Sequence, residues 1–128
     1  MSNLLLDTCA LIWLAEGGGK LSDRTISLIN ESHFVYTSTI SAWEISLLCF
    51  RGQLQLAMPP EEWFNKFTLN QNVQTIDISP TIAFLSNNLP WHHKDPADRF
   101  IISTAMSHNL TIVSADKQFS DYDVTLIK

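Results

Sequence analysis

Cysteine is scarce in this chain. Cys9 and Cys49 stand far apart, with no C-x-x-C or other metal-ligand spacing, which excludes a zinc site and a disulfide framework. Both read as reduced thiols buried within apolar helical patterns. Long apolar runs are also missing. None approaches the roughly 20 residues that span a bilayer, and the N-terminus has neither the basic region nor the small-residue cleavage site of a signal peptide. The expectation is a cytoplasmic protein with no membrane contact. Basic residues are in short supply: eight Lys and Arg against thirteen Asp and Glu give a net charge of −5, the wrong sign for a chain that holds nucleic acid by phosphate contacts alone. Repeats, linkers and low-complexity tracts are absent. What is present is 45% hydrophobic residues in a length of 128, enough for one real core and too little for two, so 1–128 reads as a single domain.

The apolar residues alternate between two periodicities. NLLLD (3–7) is a short apolar run ending in an acid; TCALIWLAEG follows with Leu11, Ile12, Leu14 and Ala15 at helical spacing until three glycines at 17–19 stop it. LSDRTISLINES (21–32) opens with Ser22 as an N-cap, and FVYTS (34–38) is β-branched and aromatic. TISAWEISLLCFRG (39–52) is helical and stops at Gly52, and PPEEWFNKF (59–67) starts a helix with prolines and acids in its first turn. VQTIDI (73–78) is strand-like, SPTIAFLSNNLP (79–90) is a helix capped by Ser79, and PADRFIISTAMSHN is a helix ending near Asn109. TIVSA (111–115) and DVTLIK (123–128) supply the last strands. Strands separated by helices define an α/β domain with a mainly parallel sheet covered on both faces.

In such sheets the functional site lies beyond the carboxyl ends of the strands, which makes the placement of the acids informative. Asp7 ends the first strand, Glu44 lies in the first turns of the helix after the second, Asp98 opens the helix leading into TIVSA, and Asp116 follows TIVSA. These four can converge on one sheet edge, with chance clustering as the rival account. Each has a local explanation as well. In HHKDPADRF, Asp95 suits an N-cap before Pro96 and Asp98 favours the positive helix end; Glu44 fits a capping box with Ser41; Asp116 can cap a turn. Asp7 resists this treatment, because an unpaired carboxylate at the end of a buried strand is costly or protonated.

LLLDTCALIW, STISAWEI, HKDPADRFIISTA and IVSADKQF, in this order and spacing, make the chain resemble a PIN-domain ribonuclease, in particular the VapC-like toxins of bacterial toxin–antitoxin pairs. The resemblance spans nearly the whole chain. It implies a three-layer domain with a five-stranded sheet of order 3-2-1-4-5 flanked by helices, which puts Asp7 at the strand where the order reverses. By the same resemblance Asp7, Glu44, Asp98 and Asp116 match the family's acidic quartet, Asp116 at a more variable position. His93, Asp95 and Arg99 match features of one subgroup. An RNA substrate, a cognate antitoxin and a toxin homodimer are further implications.

The chemistry implied is metal-dependent hydrolysis. Carboxylate oxygens suit Mg²⁺ or Mn²⁺, which in turn bind phosphate oxygens and so remove the difficulty of charge sign. Asp7, Glu44 and Asp98 are expected as the main ligand set and Asp116 as a ligand of a second ion. Thr8, Asp95 and Ser114 are candidates for groups that support the ligands, with backbone satisfaction as the alternative. Arg99 and Lys94 are candidates for RNA phosphate contacts, against a solvated or salt-bridged surface role. GGGKLS follows a helix and has Leu21 where a phosphate loop needs Ser or Thr, and the adjacent His92 and His93 do not share a helix face as a zinc pair would. Trp91 is the one tryptophan placed in a loop for base stacking. Two rival readings remain. A phosphoacceptor domain also ends its first strand in Asp, but its companion motifs are missing; a non-catalytic module would use the acids as a patch for a basic partner.

Overall fold

Leu4, Leu5 and Leu6 organise the molecule, because successive strand residues point to opposite faces and all three are buried. A computed structural model describes residues 3–91, 95–116 and 119, and the backbone of 126–127. The elements run β1 (Asn3–Leu6), α1 (Thr8–Ala15), α2 (Asp23–Glu31), β2 (Phe34–Ser38), α3 (Thr39–Phe50), α4 (Pro60–Asn70), β3 (Val73–Ile76), α5 (Pro80–Asn88), α6 (Pro96–His108), β4 (Thr111–Val113) and β5 (Leu126–Ile127). The strands form one sheet in the order β3-β2-β1-β4-β5, and every pairing is parallel. The expected order and layering are therefore present. No helix among the described residues is long and apolar enough to cross a membrane.

Leu4 and Leu6 pack on one side with Leu11 of α1, Ile29 of α2, Ile45 of α3 and Phe64 of α4. Leu5 packs on the other with Ile101, Ile102 and Ala105 of α6, Ile112 of β4 and Phe119. A strand buried on both faces loses the polar alternation of a half-exposed one, which is why β1 reads as an unbroken leucine run.

Local signals set the helix starts. Asp7, Ser22, Ser38, Ser79 and Asp95 each accept a hydrogen bond from a backbone N–H in the first turn that follows, satisfying donors that the helix itself leaves over. α6 ends on Asn109 in the left-handed region at φ 55°, a conformation Asn tolerates. After α1 the chain turns through Gly17, Gly18 and Gly19, all at positive φ, and a Cβ on Gly19 would lie 2.9 Å from Cβ of Trp13.

The capping box expected from Ser41 and Glu44 does not form. β2 runs directly into α3, so Ser38 takes the cap through its bond from the Ile40 N–H, and Ser41 is carried inside the helix, where it is fully buried. Two expected strands are also shorter: β3 stops at Ile76 and β4 at Val113. Of the expected strand 123–128, only Leu126 and Ile127 lie within the described residues as strand.

Candidate active site

Asp7 is the first residue past β1, and β1 lies between β2 and β4, where the direction of strand order reverses. Its N–H donates to the Val113 carbonyl at 3.1 Å, so the last residue of β4 fixes the backbone of the first acid. Its carboxylate accepts from the Ala10 N–H at 2.7 Å and caps α1. Helices that follow or lead into parallel strands run antiparallel to them, which brings the N-termini of α1, α3 and α6 toward the same sheet edge.

One cavity of about 390 Å³ forms there, lined by Asp7, Thr8, Cys9, Trp13, Glu44, Leu48, Asp95, Asp98, Ala115 and Asp116. The structure thus brings together all four acids of the quartet and adds Asp95, which caps α6 through the Ala97 N–H at 3.0 Å and lines the cavity as well. Among the described residues, no three His, Cys, Asp or Glu side chains are drawn together into a ready-made chelate. The carboxylates face one another across the cavity walls.

Their electrostatics are strained. Burial pushes the Asp7 carboxyl up to about 6, against hydrogen bonds from Ser114 and the Ala10 N–H and with repulsion from Glu44 and Asp116. Asp98 rises to about 8, through burial first and then through Asp95, Glu44, Asp7 and Asp116. Glu44 is raised by burial, lowered by a hydrogen bond from Thr8, and raised again by Asp95. Each of these carboxyls would ionise more readily if a positive charge entered the cavity.

Two hydroxyl groups hold the acids in place. Thr8 bonds Glu44, and its Oγ1 lies 2.9 Å from Oγ of the buried Ser41. Thr8 has one proton, so when it donates to Glu44, Ser41 donates to Thr8. Ser114 bonds Asp7, and its Oγ accepts from the Asp116 N–H at 3.0 Å, tying the first acid to the last. The other carboxylate oxygen region of Glu44 is different: Oε1 is buried with no hydrogen-bond partner among the described residues. A buried oxygen left in that state is a site for a cation or an ordered donor.

Several expectations are corrected. Arg99 is neither a phosphate contact at the surface nor a solvated side chain: it is 2% exposed, and its guanidinium donates to the carbonyls of Ser86, Leu89 and Pro90. Cys9 is exposed rather than buried and lines the cavity; partial burial and the surrounding Asp7, Glu44, Asp98 and Asp116 push its thiol up to about 11, which keeps it neutral. Cys49 is half-buried and free. Trp91 is exposed, with the centre of its ring 3.6 Å from Cζ of Arg99. His92, His93 and Lys94 lie outside the described residues. Cys9, Trp13 and Leu48 were not anticipated as lining residues. The signal for them is helical spacing, since Cys9 and Trp13, and Glu44 and Leu48, are each one turn apart on a shared face.

A parallel sheet of this order with acids gathered at its carboxyl edge defines a class, and the chain belongs to it: the PIN domain family model matches residues 4–124. A curated relative, "Ribonuclease VapC22" of Mycobacterium tuberculosis (strain ATCC 25618 / H37Rv), is 29% identical over 123 residues, covering 95% of this chain and 93% of the relative. Among solved structures, "Toxin-antitoxin complex from Klebsiella pneumoniae" matches with a TM-score of 0.66 at 23% identity, covering 98% of this chain and 96% of that one. "Crystal structure of DNA bound VapBC from Salmonella typhimurium" matches with a TM-score of 0.70 at 16% identity, covering 99% of this chain and 98% of the other. At those identities the structural matches concern the fold.

Proposed function

We propose that this PIN-domain chain is a divalent-metal-dependent endoribonuclease that hydrolyses RNA phosphodiester bonds, and that it is the toxin of a toxin–antitoxin pair. The observation that carries the reading is the convergence of five carboxylates from four segments on one cavity, with Glu44 Oε1 buried and unpartnered among the described residues. Such an arrangement is unfavourable for the chain alone and suits a cation. The curated relative is named a ribonuclease, and the solved neighbours are titled as toxin–antitoxin assemblies.

Asp7, Glu44 and Asp98 would hold Mg²⁺ or Mn²⁺, with Asp116 beside them. Mg²⁺ keeps several waters and needs only one or two direct carboxylates, which agrees with carboxylates that line a cavity without forming a closed chelate. A bound ion supplies Lewis acidity toward a phosphate oxygen and toward an attacking water. The chain's own residues set the geometry: Thr8 bonds Glu44, whose Oε1 is buried without a hydrogen-bond partner among the described residues, and Ser114 bonds the Asp7 carboxylate while accepting from the Asp116 N–H. Placed at helix N-termini, Asp7 and Asp98 also sit where backbone N–H groups favour anionic oxygens, of the carboxylate or of the phosphodiester.

The antitoxin and a second toxin copy would need apolar surface, and Trp43 and Phe50 of α3, Leu69 of α4 and Phe84 of α5 are all exposed. Acting on RNA beside such a partner, the protein would work in the cytoplasm. The test is an RNA-cleavage assay on the purified chain with and without Mn²⁺, beside Asp98→Asn. Cleavage that needs Mn²⁺ and is lost in the variant supports the reading; cleavage that persists in EDTA overturns it, and a folded chain with no cleavage under any metal favours the non-catalytic module.

A further inference from the structure

We infer that Arg99 is a positioning residue of the acidic site, clamping the first turn of α6, and with it Asp95 and Asp98, to the end of α5 beneath a cover formed by Trp91. The inference rests on the nuclease reading above and assigns a task to a residue that is not among those lining the cavity.

Arg99 is among the largest fully buried side chains of the described residues. Its Nη2 donates to the Ser86 carbonyl at 2.6 Å and to the Leu89 carbonyl at 2.9 Å, and its Nη1 donates to the Pro90 carbonyl at 2.9 Å. Ser86 lies in the last turn of α5, Leu89 is its C-cap and Pro90 follows. The carbonyls at a helix C-terminus lack intrahelical partners and carry the negative end of its dipole, so a cation is well placed there. The indole of Trp91 closes the assembly from outside, its ring centre 3.6 Å from Cζ, while 61% of the residue stays exposed.

The other end of this clamp is the site. Arg99 follows Asp98 directly, and its own N–H donates to the Asp95 carbonyl at 3.1 Å, closing the turn that carries both acids. Asp95 and Asp98 line the cavity with Asp7, Glu44 and Asp116, so any displacement of the N-terminus of α6 from the sheet edge would move two of the five acids. A rigid fork fixed to another helix opposes that displacement. A lysine carries the same charge but cannot reach three carbonyls with a planar fork, so charge and geometry are separable by experiment.

The test compares Mn²⁺ binding by calorimetry, RNA-cleavage kinetics and thermal melting for the full chain, Arg99→Lys and Trp91→Leu, at a temperature where circular dichroism shows each folded. Arg99→Lys is expected to bind Mn²⁺ about tenfold more weakly and to lose about 10- to 100-fold in kcat, the scale seen when groups supporting metal ligands are removed, with KM for RNA nearly unchanged. A variant that melts earlier but keeps wild-type Mn²⁺ affinity and kcat makes Arg99 structural only and overturns the inference. Should Arg99→Lys not fold, Trp91→Leu decides: about threefold weaker Mn²⁺ binding, the equivalent of one cation–π contact, supports the clamp, and unchanged affinity overturns it. Absence of Mn²⁺ uptake by the wild-type chain is a separate result, which overturns the nuclease reading and this inference together.

Discussion

Asp98 answers two opposed demands. Facing other carboxylates in a half-buried position, it is raised to about 8, so the chain without metal holds it protonated at neutral pH. A cation reverses that preference, because the ligand must shed its proton to bind. Replacing Asp98 with Asn should therefore abolish cleavage, by about 100-fold or more, while raising the melting temperature of the metal-free protein most above pH 8 and least below about pH 4, where the carboxyl is protonated in the folded and the unfolded chain alike. Cleavage assays and melts at the two pH values check both halves. Thr8→Val removes the hydrogen bonds that Thr8 makes to Glu44 and to Ser41. Its expected signature is about a tenfold loss of kcat, with Thr8→Ser restoring activity. None of this was visible for Arg99, whose burial depends on where α5 ends, a fact that no residue near position 99 encodes.

At the scale of elements, short-range chemistry explains most of what forms. Ser22 accepts from the Thr25 N–H at 3.1 Å to start α2 and is not among the residues lining the acidic cavity. Ser22→Ala should cost about 1 kcal/mol, or about 4 °C in Tm, and leave cleavage rates as they are; thermal melts and initial rates check this. Such caps were legible because an N-cap and the N–H groups it satisfies lie within three residues of each other. The same rule misread Ser41. A serine three residues before a glutamate fits a capping box, but β2 feeds straight into α3 and Ser38 occupies the cap first. What Ser41 does instead, bonding Thr8 from another helix, depends on how α1 and α3 pack.

At the scale of the whole molecule, the charge imbalance is local. Of thirteen acids, five line the cavity, leaving eight against the chain's eight basic residues. Asp7 and Asp98 titrate higher in the fold than in an unfolded chain, at about 6 and about 8 against 3.8. The folded state thus binds more protons between those limits, and stability of the metal-free protein should fall as pH rises from about 4 to about 8, then level off. Mn²⁺ should cancel the decline, raising Tm most at the alkaline end and releasing protons as it binds. Melts across that range with and without Mn²⁺, and calorimetry in buffers of different ionisation enthalpy, measure both effects.

The amino-acid sequence by itself determined the strand and helix periodicities, the caps at Ser22, Ser79 and Asp95, the leucine run of a strand buried on both faces, and the presence of acids at element ends, since each follows from interactions within a few residues. Tertiary structure alone decided that Asp95 joins the quartet in one cavity, that Cys9 opens onto it, that Thr8 links Ser41 to Glu44, and that Arg99 turns inward to the end of α5. Those outcomes require segments remote in sequence to be adjacent in space. Only the crossover order of the sheet and the packing of helices on its two faces make them so.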